Sequence, residues 1–178
     1  TTMTLTTARL TLRLLNADDW PLFYTLHNDA EVIAKCFDKP SEAQLRAKFN
    51  ERLKPWQPNS NSPLCLVIVE TSTGKEVGVT GFTSSTVPDS QEVGYLLLPN
   101  FHGRGYATES LQAVLDYAKS EHAVREFKAV VTEGNIGSEK VLEKCGFQLV
   151  DKQLDAYAIG GVLYTDHHFH LSCTDHRA

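Results

Sequence analysis

The chain has 178 residues, 42% of them hydrophobic and 22% charged, which suits one globular domain with a single core. Its formal net charge of −5 argues against a polyanion partner such as nucleic acid. No stretch reaches the ~18 apolar residues of a membrane span, and the first residues lack the charged start of a signal peptide. Four scattered cysteines without a Cys-x-x-Cys pair argue against a disulfide framework or a zinc knuckle. We therefore expect one cytoplasmic domain over residues 1–178 that binds neither nucleic acid nor a membrane.

Apolar periodicity places the elements of the first third of the chain. Alternating leucines predict a strand at residues 8–15, and two helices follow, the second over about 41–53. Asn16 and Ser41 are the N-cap candidates for these helices. Three prolines make residues 54–63 a predicted loop that could cover a substrate.

The rest of the chain predicts a meander and then alternating helices and strands. Strands are predicted at 64–70, 76–83, 92–98, 127–132, 147–157 and 162–171, with helices up to about residue 120 and over 137–144. The predicted order is β-α-α-β-β-β-α-β-α-β-β. It indicates an α/β (α+β) single domain with a mixed, mostly antiparallel sheet and helices on both faces.

The most informative segment joins a strand to a helix through glycines. Residues 92–118 read Glu-Val-Gly-Tyr-Leu-Leu-Leu-Pro-Asn-Phe-His-Gly-Arg-Gly-Tyr-Ala-Thr-Glu-Ser-Leu-Gln-Ala-Val-Leu-Asp-Tyr-Ala. A Gly-x-Gly loop before a helix start presents unpaired backbone N–H groups and the positive end of a helix dipole to one point. This arrangement predicts an anion site suited to phosphate.

Two other interpretations of the loop are open at this point. Gly103 and Gly105 also fit an ordinary turn that needs positive φ. A dinucleotide-binding fingerprint fits less well, because Thr108 occupies the third glycine position, although Glu133 is placed to reach a ribose hydroxyl. A NAD-dependent oxidoreductase is therefore an alternative, and it requires a parallel sheet.

The residues also carry a family resemblance. The 92–109 segment, followed by Asn135-Ile-Gly-Ser-Glu-Lys-Val-Leu-Glu-Lys-Cys-Gly-Phe147, resembles the two core motifs of the GNAT acetyltransferase superfamily. With Ala8-Arg-Leu-Thr-Leu-Arg-Leu-Leu near the start, it resembles most closely the branch containing the RimJ and RimL ribosomal-protein N-terminal acetyltransferases. The resemblance implies a GNAT-like splayed sheet and acetyl-CoA as co-substrate. It also implies direct attack on the thioester by a primary amine, either a protein N-terminal α-amine or a small-molecule amine.

The resemblance assigns the coenzyme contacts. The family loop Gln/Arg-x-x-Gly-x-Gly/Ala maps onto residues 102–107 and departs from the pattern at His102. Backbone amides of this loop would hold the pyrophosphate, and the splayed strand would pair with the pantetheine. Asn135 would bind the pantetheine, cap the following helix, or do both. The predicted coenzyme residues are Leu96, Leu97, Leu98, His102, Gly103, Arg104, Gly105, Tyr106, Ala107, Thr108, Asn135 and Ser138.

Acetyl transfer needs a neutral amine, a polarised thioester and a stabilised thiolate. Family members often carry a tyrosine seven residues after the motif asparagine, where this chain has Leu142. Ser138 stands where the Rim-like branch has serine, and we expect it to donate a hydrogen bond to the coenzyme sulfur. Glu92 is the predicted base, acting through water, with an exposed strand-end carboxylate as the alternative. Tyr95 is expected in the core.

The acceptor side is the least defined part of the sequence. Phe37, Trp56 and Phe82 are candidate substrate contacts, because the first helices and the hairpin usually form the acceptor side in this family. The cluster around His168 and His170 has no third ligand or acidic partner except Asp166, so no metal is expected. The last strand offers an edge for a homodimer. A coenzyme-A-responsive binding module without turnover is the second alternative function.

Overall fold

Two strands and three helices precede the central meander. The computed structural model describes residues 3–55, 63–84 and 90–173, so Trp56 lies outside the described residues. The first elements are β1 (Thr4–Thr6), β2 (Leu10–Leu14), α1 (Trp20–Asn28), α2 (Ala30–Ile33) and α3 (Glu42–Leu53). Ser41 caps α3 in a capping box, as predicted. Asn16 instead caps a 3₁₀ helix, Ala17–Asp19, which leads into α1.

The later elements lie close to their predicted positions. They are β3 (Leu64–Glu70), β4 (Glu76–Ser84), β5 (Ser90–Leu97), α4 (Tyr106–His122), β6 (Glu126–Thr132), α5 (Ile136–Lys144), β7 (Gln148–Ile159) and β8 (Val162–Ser172). A second 3₁₀ helix, Pro99–Phe101, follows β5. None of the described helices is both long and apolar enough to cross a bilayer.

All eight described strands form one sheet in the order β1-β2-β3-β4-β5-β6-β8-β7. Among these strands β5 and β6 form the parallel pair, and every other neighbouring pair is antiparallel. This confirms the predicted mixed, mostly antiparallel sheet, and it is not the parallel sheet that a dinucleotide-binding fold requires. The prediction that the last strand forms an edge is wrong, because β8 lies between β6 and β7. The edge strands are β1 and β7, and β7 exposes Leu149, Val150 and Leu154.

Helices cover both faces of the sheet, so each face has its own core. On one face α4 and α5 contribute side chains such as Leu111, Leu115 and Leu142, all at most 2% exposed. On the other face α1 and α3 contribute Phe23 and Phe49. Strand alternation sends successive side chains to opposite cores, which is the period-2 pattern of the sequence. Residues of this second face, among them Phe23 and Lys48, border the cavity described below.

Candidate active site

The glycine loop ends in an uncapped helix start. Gly103 and Gly105 have φ of 76° and 81°, a left-handed conformation that favours glycine. Gly105 is the N-cap of α4 and has no side chain to satisfy the N–H groups of the first turn. The helix has 17 residues, so its dipole adds a partial positive charge at this point. The predicted loop conformation is therefore present, and it presents amides suited to a phosphate.

The two polar side chains of the loop fold back onto the protein. His102 Nε2 lies 2.8 Å from the carbonyl oxygen of Leu97, so this nitrogen carries the proton and donates it. The guanidinium of Arg104 lies 3.7 Å from Glu70, whose carboxylate also accepts from the Tyr106 hydroxyl at 2.5 Å. Tyr106 is only 6% exposed. The loop thus turns its backbone outward while its larger side chains hold its shape.

Strands β5 and β6 pair only at their first residues and separate toward their C-terminal ends, where the glycine loop follows β5. They pair only from Ser90 to Glu92 on β5 and from Glu126 to Lys128 on β6, and they diverge toward the loop. The expected splay is therefore observed. A wedge between two strands that no longer pair leaves backbone N–H and C=O groups that an amide-bearing ligand can satisfy.

The backbone of β5 points alternately into and away from this wedge. Leu98 donates its N–H to Val77 of the β4 side at 2.8 Å, so Leu98 does not offer a free N–H there. Alternation then turns the backbone of Leu96 to β4 as well, and that of Leu97 and Tyr95 into the wedge. Of the three predicted residues, Leu97 is thus the one whose backbone faces the wedge, and because its carbonyl already accepts from His102, its N–H is the group directed at a ligand. The expectation of free groups at Leu96 and Leu98 needs correction, since both face β4.

Asn135 and Ser138 lie at the start of α5, against the wedge. The Asn135 side chain accepts the Ser138 N–H at 3.3 Å, so the predicted helix cap is present. The hydroxyl of Tyr95 donates to Ser138 Oγ at 2.9 Å. Burial raises the pKa of Tyr95 to about 12, outweighing this hydrogen bond, so the phenol stays a neutral donor. Since Ser138 Oγ already accepts from Tyr95, its own proton is available to another acceptor.

Sequence reasoning assigned Tyr95 to the core, and the structure places it on the wall of the wedge. Its side chain packs on the α4 face, yet its hydroxyl reaches the first turn of α5. Leu142, at the position where the family resemblance implies a tyrosine, is 2% exposed and belongs to the core. Tyr95 is therefore the phenol that approaches Ser138, supplied by a strand instead of the helix.

The wedge opens into a cavity of about 430 Å³ that is bordered by residues of the sheet and of helices α1 and α3. Glu92 borders it and is 45% exposed, with Lys128 4.0 Å away. Asp166 on β8 borders it too, and its Oδ1 is enclosed without a hydrogen-bond partner among the described residues. Burial raises the pKa of Asp166, against the opposite effect of the nearby histidines. Two carboxylates from distant strands thus face one cavity.

Aromatic side chains form the helical wall of this cavity. The ring of His27 lies 4.3 Å from that of Phe23 and 5.5 Å from that of Phe37. His27 Nδ1 donates to the Phe23 carbonyl at 2.8 Å, and burial lowers the pKa of His27 to about 4, so the ring is neutral. The candidate substrate residue Phe37 is half-buried on this wall. Phe82 also borders the cavity but is only 2% exposed, as a core residue.

The histidines of β8 are bound separately. His167 lies 2.5 Å from Glu139 on the α5 face, whereas His170 lies 3.3 Å from Glu126. His168 contacts Gln153 at 3.3 Å. No group of three metal-ligating side chains is found in the part of the chain that the structure describes.

Comparison with known proteins identifies this arrangement. Residues 9–148 match the family described as acetyltransferase (GNAT) domain. The chain belongs to the GNAT acetyltransferase family. A Bacillus subtilis relative, the uncharacterized protein YkkB, is 30% identical over 148 residues, which cover 80% of this chain and 83% of the relative. This membership confirms the predicted GNAT superfamily. The protein is therefore an acetyl-CoA-dependent acyltransferase.

Solved GNAT structures share the fold. RimL, the ribosomal L7/L12 α-N-protein acetyltransferase in complex with coenzyme A, superposes with a TM-score of 0.83 at 18% identity, covering 96% of this chain and 98% of its own. Spermidine N-acetyltransferase from Vibrio cholerae, in complex with CoA and spermine, gives 0.81 at 19% identity, covering 94% and 97%. At these identities the likeness shows the fold alone. The two acceptors differ in kind, so the fold leaves the acceptor of this GNAT chain open.

Proposed function

We propose that this chain, as a single domain, transfers the acetyl group of acetyl-CoA to a primary amine by direct attack on the thioester. The observation that carries the proposal is that β5 and β6 diverge toward the glycine loop, while the same two strands border the cavity that Glu92 borders. Backbone amides of Gly103, Arg104, Gly105, Tyr106, Ala107 and Thr108 would hold the pyrophosphate. Leu97 and Asn135 would bind the pantetheine, with the thioester near Ser138.

The proposed reaction uses one proton acceptor and one donor. The amine nitrogen attacks the thioester carbon, the carbon–sulfur bond breaks, and the coenzyme leaves as a thiolate. Ser138 donates a hydrogen bond to that sulfur and is itself oriented by Tyr95. Glu92 takes the amine proton through water. Asp166, which sequence reasoning did not select as a base, is a second carboxylate in the same cavity.

The acceptor is proposed to be a protein N-terminal α-amine or a small-molecule amine. Placement in the RimJ and RimL branch is supported by the resemblance of residues 92–109 and 135–147 and by the likeness to RimL in fold. A small-molecule acceptor is supported by the cavity of about 430 Å³, a size suited to a small ligand.

Thermal unfolding with acetyl-CoA, CoA and NAD side by side tests the coenzyme. A ligand at 100 times its dissociation constant should add about 2.7 kcal/mol to stability, and we expect this for acetyl-CoA and CoA only. Release of the CoA thiol is then measured across a panel of primary amines. Stabilisation without amine-dependent release would favour the binding module, and stabilisation by NAD alone would favour the oxidoreductase.

A further inference from the structure

Two cations of α3 face the acceptor side of the cavity. Lys48 and Arg52 are one helical turn apart, and both border the cavity. Lys48 Nζ lies 5.6 Å from the ring centre of Phe37, and Arg52 Cζ lies 5.9 Å from that of Phe23. The ring of His27 stacks between these two phenylalanines. The cations therefore flank one row of three rings on the cavity wall.

These cations have no carboxylate within ion-pair distance in the described parts of the chain. The neighbouring Glu51 is bound to Lys54 at 2.9 Å, and Arg52 donates to the main-chain carbonyl of Lys48 at 3.4 Å. Two like charges at i and i+4 of a helix repel each other. Burial, together with Arg52, lowers the pKa of Lys48, and burial lowers that of Arg52. The helical wall thus carries two positive charges, neither of which forms an ion pair with a carboxylate among residues 3–55, 63–84 and 90–173.

The sheet side of the same cavity carries the opposite charge. Glu92 pairs across the sheet with Lys128, and Asp166 pairs with Thr132, so the two carboxylates share the face toward α1 and α3. Both border the cavity that Lys48 and Arg52 border. A ligand spanning the cavity would therefore meet carboxylates at the sheet and cations at α3.

We propose that the acceptor amine carries an anionic group, a carboxylate or a phosphate, that binds between Lys48 and Arg52 while the amine approaches Glu92. This inference rests on the proposed function and narrows its acceptor. An amine attracted to the sheet carboxylates needs an anion at its other end to match α3. A polyamine would instead place positive charge against Lys48 and Arg52, with Lys35 at the cavity border adding to the repulsion.

Cation–π contact alone is the competing explanation of these two side chains. The same helix supplies a matched control, because Arg46 Cζ lies 3.7 Å from the ring centre of Trp20 without bordering the cavity. If ring contact were the whole role, Arg46→Gln and Arg52→Gln should have similar effects. If anion binding is the role, only the cavity cations should matter.

The first experiment measures acceptor preference in matched pairs. CoA release is followed with γ-aminobutyrate against butylamine, with phosphoethanolamine against ethanolamine, and with spermidine. In at least one pair, we expect kcat/KM for the amine with the anionic group to be about ten times that of its partner. Lys48→Gln and Arg52→Gln should each reduce that ratio, whereas Arg46→Gln should keep it. Equal turnover of both members, a preference for spermidine, or a ratio unchanged by Arg52→Gln would overturn the inference.

The second experiment needs no turnover. Calorimetric titration of γ-aminobutyrate or phosphoethanolamine into the CoA-loaded protein should show binding that Arg52→Gln weakens about tenfold and Arg46→Gln leaves intact. Butylamine and ethanolamine serve as the references that lack the anionic group. Acetyl-CoA binding without turnover would contradict the proposed function alone. Absence of anion-dependent binding would contradict the acceptor inference, whether or not amines are acetylated.

Discussion

The proposed donor half and acceptor half of this molecule present different chemical groups to their ligands. The donor half, at the end of β5 and the start of α4, presents backbone groups, while Tyr106 is buried and His102 turns back to Leu97. The acceptor half presents side chains, with an aromatic row and two cations from the helices opposite the carboxylates of Glu92 and Asp166. We therefore propose that the donor half binds its ligand through backbone conformation and the acceptor half through the identity of its side chains.

This difference has a physical consequence for specificity. Backbone amides recognise a phosphate whatever the surrounding side chains are, so the donor can stay the same while the acceptor changes. The acceptor wall depends on which side chains α1, α3 and β8 supply, and each can change without disturbing the loop. Variants in one half should therefore leave the other half's ligand unaffected.

The largest expected effect comes from Glu92→Gln. Loss of a general base typically costs at least 100-fold, and we expect about that loss in kcat, with a changed pH profile. The acetyl-CoA dissociation constant should stay the same, because Glu92 borders the acceptor cavity. Glu126→Gln is the control, since Glu126 pairs with His170 and does not border the cavity. Unchanged turnover would remove Glu92 from the mechanism, and weakened coenzyme binding would show that the two halves are coupled.

The next largest expected effect is a loss of kcat on substitution of Ser138, which lies between the donor half and the acceptor half. Removing one hydrogen-bond donor to the leaving sulfur should lower kcat by about 30-fold in Ser138→Ala, with a smaller loss in Tyr95→Phe. If Tyr95 acts through Ser138, the double variant should lose no more than Ser138→Ala alone. Because burial raises the pKa of Tyr95 to about 12, the phenol stays protonated below about pH 10, so its titration should not reduce activity there.

Tyr117→Phe provides the control for that series. Its hydroxyl contacts His122 within α4, away from the cavity, so kcat should be unchanged. Additive losses in Tyr95→Phe and Ser138→Ala would mean that the two hydroxyls act independently. Rates are best measured at saturating acetyl-CoA, so that changes in kcat are separated from changes in coenzyme affinity.

Most of the fold could be predicted because the sequence carries local signals for it. Alternation defined the strands, and Ser41 begins α3 as its capping residues indicate. Two short elements were not predicted, because three residues of β1 and four of α2 are too few to show a period. The position of β8 inside the sheet was also not predictable, since strand order depends on contacts between distant segments.

The same contrast applies to the candidate site. The glycine loop and the cap at Asn135 were predictable, because each depends on backbone conformation over a few residues. Tyr95 was assigned to the core because alternation gives the face of a residue and not the reach of its hydroxyl. No local pattern shows that Asp166 shares a cavity with Lys48 and Arg52, because only the fold brings these distant segments together. The spacing of Lys48 and Arg52 at i and i+4 was the signal available for those two.

The smallest expected effect, that of Gly103→Ala on acetyl-CoA affinity, is also the most direct test of the donor half. Gly103 and Gly74 have φ of 76° and 75°, and a Cβ added at either would meet nothing within 4 Å. Alanine at each should therefore cost a similar amount of stability, about 1–2 kcal/mol. Only Gly103→Ala should also weaken acetyl-CoA binding, by about tenfold in calorimetric titration, because the cradle needs close approach of the phosphate. Equal coenzyme affinity in the two variants would mean that the pyrophosphate binds elsewhere and that the donor half is not made by this loop.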